Sequence, residues 1–316
     1  VVTAAALQPL ADTLTVLTPA PEHPALCALV DSLRTRYSDC ARAILFYGSC
    51  LRGGDPFDGL VDLYLVVADY RCANSGRLGA LWNRLLPPNV FYTEVRFGDR
   101  LVRCKYAILS ERDLRVGTST RWFHSYLWGR FSQPTAIAWA RDETTRRAVA
   151  THLAQAVVTM LRRALPAVAP RGPVPALWQQ ALALSYATEL RPESSRRAAQ
   201  LTTVNADYYR QVTALAAPLL GGALACADDQ YHAGLPERRR RLGRIGWRLR
   251  TVQGKLLSLA RLCKALFTFE GGLDYIAWKL ERHSGQPVEI PARVRRYPLL
   301  FVWALVWRLY RRGVFR

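Results

Sequence analysis

Two apolar runs flanking a glycine-serine turn constrain this chain most. Ala43-Ile44-Leu45-Phe46-Tyr47 leads into Gly48-Ser49-Cys50, and Leu60-Val61 opens the second run, Asp62-Leu63-Tyr64-Leu65-Val66-Val67. β-Branched and aromatic residues in runs of this length predict buried strands. A glycine at the end of the first strand lets the backbone turn sharply and approach an anion. The Ser49 hydroxyl offers a hydrogen bond to a phosphate, and free N–H groups of a following helix are expected to face the same anion. A Gly-Ser turn alone is also an ordinary loop. Asp62 makes the pattern unusual, because a carboxylate among apolar neighbours is costly unless paired or bound to metal. A strand, a Gly-Ser turn and an acid on the next strand about a dozen residues later together predict a phosphate site.

Around this unit the periodicity predicts a mixed α/β core of about four strands. Pro24 to Tyr37 has helical spacing, whereas residues 1–22, rich in Ala, Thr and Pro, read as a loose arm. Ser75 to Leu86 reads as a helix. Asn89 to Phe97 alternates, with Tyr92, Glu94 and Arg96 on one face, and Gly98-Asp99 turns it into a strand over Leu101 to Leu109. On that strand Arg103 and Lys105 share one face, with Cys104 and Tyr106 on the other. From Glu111 the pattern is helical, with a long amphipathic helix over Asp142 to Leu165 and further helices over 177–190 and 205–220. A linker is expected over 166–175 and a break over 221–236, followed by a basic helix from Glu237 to Phe269. The division expected is a core domain over 23–135, a helical domain over 136–235 and a basic C-terminal region over 236–316.

Charge narrows the partners. The 316 residues carry a net charge of +20, almost all of it arginine. Such an excess implies nucleic acid, an anionic membrane or a phosphate-rich substrate. The seven cysteines show no CxxC or Cys/His metal spacing and read as reduced thiols in a cytosolic setting. No secretory leader pattern precedes the first helix. Tyr297 to Tyr310 is intensely apolar, with Trp303 and Trp307 four apart and arginines at both ends. It is too short to span a bilayer, which takes roughly 17–25 residues. It fits insertion into one leaflet of an anionic surface, or docking on the protein's own core.

Strand-turn-strand units of this kind are built into nucleotidyltransferases of the polymerase-β type, where the acid on the second strand holds Mg²⁺. Five ordered segments sharpen the likeness: Tyr47-Gly48-Ser49, Val61-Asp62-Leu63, Lys105-Tyr106, Gly129-Arg130 with Gln133-Pro134, and Leu184-Ser185-Tyr186 with Glu189 and Arg191. In this order they resemble the mitochondrial-type phosphatidate cytidylyltransferases, the peripheral CDP-diacylglycerol synthases of the translocator assembly and maintenance family. Arg261, Lys264 and Phe267-Thr268 are similar to that family's C-terminal basic segment. Cys50 stands where the family has Gly, Glu189 where it has Asp, Gln133 where it has Lys and Ala107 where it has Gly.

The resemblance, which does not extend to residues 271–316, implies an α/β nucleotidyltransferase core of the polymerase-β type. The residue pattern adds a mostly helical domain and a C-terminal amphipathic membrane-binding helix. The lack of a mitochondrial presequence pattern makes the cytoplasmic face of a bacterial inner membrane the expected place. The resemblance also implies CTP and phosphatidic acid as substrates, Mg²⁺ as cofactor and no nucleic-acid partner. Gly48, Ser49, Lys105 and Tyr106 would then bind the nucleotide, and Asp62 and Glu189 would be catalytic. Arg191, Arg261 and Lys264 would grip the phosphatidate headgroup by paired hydrogen bonds or charge. Superfamily members usually place a second acid two residues after the first; here that position is Tyr64. Glu94 could supply the missing ligand beside Asp62, or it could pair with Arg96 or Arg103; Glu189 could instead reach in from the helical domain, or pair with Arg191 at a helix end. Lys105 neutralises phosphate or simply extends its stem along the sheet. A nucleotidyltransferase acting on RNA or another small acceptor, and a non-catalytic membrane scaffold, are the alternatives.

Overall fold

A computed structural model describes residues 2–73, 87–189, 194–268, 291, 293 and 294; for 194, 195, 197 and 262–268 only the backbone is described. The helix expected over 75–86 and the apolar run at 297–310 lie outside those residues.

The expected mixed α/β core is present, with five strands. β1 (Ala41–Tyr47), β2 (Val61–Val67), β3 (Asn89–Phe97), β4 (Arg100–Ser110) and β5 (Ala136–Ala140) form one sheet in the order β3-β4-β2-β1-β5. β2 and β4 run parallel and every other pair is antiparallel. β5 has too few residues to show an alternation, so it was missed in sequence; it carries the sheet past the division expected after residue 135.

Strand alternation gives the sheet two covered faces. Ile44, Phe46, Leu63, Leu65, Cys104 and Tyr106 pack on one side with Leu26, Leu29 and Leu33 of α2 (Pro24–Tyr37). Leu45, Tyr64, Val66, Ala107 and Leu109 pack on the other, in a larger core that reaches the remaining helices. Short helices α3 (Tyr70–Ala73), α4 (Glu111–Gly117) and α5 (Tyr126–Phe131) connect the strands. The second face is covered by α1 (Ala4–Leu17) and α6 (Glu143–Ala164), backed by α7 (Val174–Tyr186), α8 (Ser194–Val204) and α9 (Ala206–Ala216). Asp142 caps α6, accepting a hydrogen bond from the Thr145 N–H at 2.7 Å.

Two expectations about local order are corrected. Residues 4–17 form a helix, not a loose arm: Leu7, Leu10, Ala11 and Leu14 recur at helical spacing and are all buried. The Thr18 hydroxyl then ties its end to the Thr135 carbonyl at 3.0 Å. The expected linker and break both contribute strands, because β6 (Arg171–Pro173), β7 (Ala225–Ala227) and β8 (Gln230–His232) form a second sheet. Asp228 and Asp229, at φ 48° and 63°, make the tight β7–β8 turn.

The expectation of reduced thiols is also corrected. Cys40 and Cys72 form a disulfide with an S–S distance of 1.96 Å. β1 and β2 are antiparallel with Ala41 opposite Val67, so the residue before one strand meets the segment after the other. A separation of 32 residues gives no spacing signal for this in the sequence. Cys27, Cys50, Cys104 and Cys226 are free.

The basic helix α10 (Glu237–Thr268) docks on the body through one face. Trp247 is buried, donates from Nε1 to the Arg163 carbonyl at 2.8 Å and meets the Trp128 ring edge-on. Further along, a Cβ at Gly254 would lie 2.4 Å from the Thr188 carbonyl, so only glycine permits this approach.

Candidate functional site

The strand ends place the expected phosphate turn against the acid. Tyr47 pairs with Asp62 across β1 and β2, which brings Gly48 directly over the Asp62 side chain. Gly48 has φ +94°, and a Cβ there would lie 2.7 Å from Asp62 Oδ2. Both the backbone conformation and the close approach demand glycine. The following helix is a single 3₁₀ turn over Cys50–Arg52, not the longer helix expected to present its N–H groups to an anion. The Ser49 carbonyl already accepts from the N–H groups of Arg52 and Gly54, at 3.0 and 3.3 Å.

Asp62 and Lys105 are register partners on parallel strands, and Lys105 Nζ lies 3.7 Å from Asp62 Oδ1. They open into a pocket of about 220 Å³ walled also by Tyr47, Gly48, Arg52, Arg130, Gln133 and Tyr186. Three cationic side chains and one carboxylate thus line a cleft large enough for phosphate groups, a balance that favours a polyanion.

Arg130 joins the sheet to the helical layer. Its guanidinium is nearly buried, 3.4 Å from Glu189 Oε1, and it stacks near the rings of Tyr47 and Tyr126. Burial opposes its charge, but the Glu189 carboxylate beside it favours the charged form, and the guanidinium's pKa lies above its ordinary value. Glu189, expected as a catalytic acid, is thus engaged with Arg130 and does not line the pocket. Gly129 lets α5 press on α7: a Cβ there would lie 2.1 Å from Ser185 Oγ. Ser125 and Thr188 hydroxyls share a hydrogen bond at 2.9 Å, and Tyr186 donates to Gln133 Oε1 at 2.8 Å.

The other expected site residues divide. Arg261 stacks over the Tyr126 ring at 4.3 Å, beside Arg130, and donates to the Pro87 carbonyl at 3.1 Å. Tyr106 does not face the pocket. Alternation along β4 turns it to the opposite side of the sheet, where it is buried, stacks with Phe91 and hydrogen-bonds Tyr37 at 3.0 Å. Glu94 does not join Asp62 either. It sits on β3, beyond the intervening β4, pairs with Arg103 at 3.6 Å and accepts from the Tyr92 hydroxyl at 2.5 Å. Two strand spacings separate it from β2, roughly 10 Å, too far for a shared metal. Arg191 and the Lys264 side chain lie outside the described residues.

Tyr64, in the position of the second acid, is fully buried, 3.5 Å from the Tyr126 hydroxyl and packed on Tyr47 and Phe131. Burial pushes its pKa well up, so it is a neutral wall. Among the described residues no three His, Cys, Asp or Glu side chains cluster as metal ligands. The donors at the pocket fit a cation that arrives on phosphates and takes one carboxylate from the protein, the usual habit of Mg²⁺. They do not fit a metal caged by protein alone.

Sequence reasoning missed Arg52, three residues after Ser49. It did not count Arg130, Gln133 or Tyr186 as site residues, although all three lie in the segments that carried the resemblance.

No protein-family model matches the chain, and no curated protein matches it. Among solved structures it is similar to a nucleotidyltransferase-like protein from Exiguobacterium sibiricum 255-15, at 12% identity and a TM-score of 0.24, over 92% of this chain and 91% of that one. That likeness is too slight to carry a statement about the site.

Proposed function

We propose that this protein is a nucleotidyltransferase that takes CTP in the Gly48–Asp62–Lys105 pocket and transfers CMP to phosphatidic acid. The reading is supported by one observation: segments far apart in sequence, Tyr47-Gly48, Asp62, Lys105, Arg130, Gln133 and Tyr186, wall a single electropositive pocket. These are the segments whose order resembles the phosphatidate cytidylyltransferases.

In the transfer, an oxygen of the phosphatidate phosphate attacks the α-phosphorus of CTP. A new P–O bond forms as the bond to the bridging oxygen of the β-phosphate breaks. Pyrophosphate leaves with that electron pair, and CDP-diacylglycerol remains. The attacking phosphate is already anionic at neutral pH, so the protein's task is to align two anions and offset their charge. The turn at Gly48 lets backbone approach the triphosphate, while Lys105, Arg52 and Arg130 counter its charge. Asp62 would hold Mg²⁺ together with the phosphates, and the metal would supply further charge neutralisation. A peripheral site on the cytoplasmic face of an anionic membrane would bring the lipid acceptor to the pocket. No helix among the described residues is long and apolar enough to cross a membrane.

A second reading, a nucleotide-binding protein without transfer, is favoured by the single carboxylate at the pocket and by its ion pair with Lys105. Incubation with radiolabelled CTP, phosphatidate vesicles and Mg²⁺ separates the two. Lipid-extractable label from the wild type and none from Asp62→Ala is the expected result. CTP bound without any lipid-soluble product would favour the second reading.

A further inference from the structure

A groove of about 550 Å³, distinct from the Gly48 pocket, runs between the C-terminal end of α6 and the first half of α10. Arg162, Arg163, Arg239 and Arg250 line it, and among the described residues no carboxylate pairs with any of them. Arg250 is only 3% exposed; its Nε donates to the Phe123 carbonyl at 2.8 Å. The buried Arg163 Nε has no hydrogen-bond partner. Arg250 is the one buried guanidinium of the four, over the Phe123 ring, with the half-buried Arg163 beside it donating from Nη2 to the Thr120 carbonyl at 2.7 Å. Two such like charges close together with no counter-ion among the described residues are unfavourable, and an anion in the groove would relieve them. Burial and then the neighbouring Arg163 bring the Arg250 pKa down to about 10, in keeping with that crowding.

The helix is shaped around the groove. Gly243 and Gly246 both line it, although glycine inside a helix is unfavourable. A Cβ at Gly243 would lie 2.2 Å from the Pro166 side chain, and one at Gly246 would lie 3.1 Å from Arg250 Nη1. The walls between the arginines are apolar, with Leu165, Leu220 and Leu235. One wall residue, Leu242, also begins an exposed stripe that continues through Ile245, Leu249, Val252, Leu256 and Leu259 at alternating three- and four-residue steps. Among the described residues, none lines both this groove and the Gly48 pocket. The groove is therefore not the transfer site.

We propose that this groove binds the phosphate headgroup of an anionic lipid, with the arginines on the phosphate and the apolar stripe of α10 along the acyl region. Arginine suits phosphate by its paired donors, and the stripe suits only a ligand with an apolar body. The proposal does not depend on which reaction occurs in the Gly48 pocket.

The test is isothermal titration of the full chain with soluble dihexanoyl phosphatidylglycerol, a phosphodiester that cannot serve as the proposed acceptor. Inorganic phosphate and a single-stranded oligonucleotide are titrated in parallel, and CTP serves as the control for the other pocket. The wild type is expected to bind the lipid at least tenfold more tightly than inorganic phosphate. Arg162→Ser/Arg239→Ser, which alters exposed rim residues, should weaken lipid binding at least tenfold and leave CTP binding unchanged. Arg250→Lys, which keeps the charge but loses the planar fork, should weaken it as well. Lipid binding unaffected by the rim variant would overturn the proposal. Inorganic phosphate binding as tightly as the lipid would also overturn it, as would an oligonucleotide that displaces the lipid from the wild type but not from the rim variant.

Discussion

Gly48→Ala should act on Asp62 as much as on the turn itself. A side chain at φ +94° carries a backbone penalty of about 1–2 kcal/mol. Its Cβ would also fall 2.7 Å from Asp62 Oδ2, and relieving such an overlap typically costs about 1–3 kcal/mol more. In an Asp62→Ala background that oxygen is gone and the nearest remaining atom is the residue-62 Cβ at 3.2 Å. The second component should then largely vanish. Urea denaturation of the wild type, both single variants and the double variant measures the coupling. Gly48→Ala is expected to cost about 3 kcal/mol alone and about 1–2 kcal/mol beside Asp62→Ala. Effects that add to within about 0.5 kcal/mol would refute the reasoning, because residues in contact should not behave as independent sites.

Other perturbations test neighbouring parts. Glu189→Gln removes the partner of a nearly buried Arg130 and should destabilise the fold by about 3 kcal/mol, read by the same denaturation; a loss under about 0.5 kcal/mol would show that the pair is solvated. Leu10→Ala, in the segment that sequence reads as a loose arm, should cost about 2–5 kcal/mol, whereas an unpacked arm would give no change. His124 has its pKa pushed down to about 4, first by burial and then by Arg261 nearby. The unfolded state binds that proton near pH 6.5, so stability is full above this and falls as pH drops toward 4. The largest possible loss is about 3 kcal/mol. Half-buried His152, pushed down to about 4 by burial and then by Arg115, contributes over the same window. His124→Gln should therefore remove about half of the pH dependence of the melting temperature there, and an unchanged profile would contradict the assignment.

The strands around the site were legible because their composition leaves little choice. Val61 to Val67 is apolar except for Asp62, and the alternation of Asn89 to Phe97 fixes which side chains share a face. Gly48, Asp62 and Lys105 meet where the motif order implies. The misses have particular physical causes. Tyr106 was placed with Lys105 although successive strand residues face opposite ways, so the motif adjacency misled where the pleat would have corrected it. Glu94 shares the correct face, but sheet order, which no single-sequence pattern reveals, inserts β4 between it and Asp62. The Cys40–Cys72 bridge and the Arg130–Glu189 pair likewise join residues that only the topology makes neighbours. In α1, Thr, Pro and Ala hid a stripe of four buried positions that helical spacing alone would have revealed.

The central claim is that Gly48, Asp62, Lys105 and Arg130 form one nucleotide site. Equilibrium titration of CTP with Mg²⁺ against the wild type, Lys105→Met and Asp62→Ala tests it most directly. Binding by the wild type, weakened at least tenfold in both variants that retain the native circular dichroism spectrum, is the expected result. CTP binding of equal strength in all three proteins would place the nucleotide elsewhere and contradict the claim.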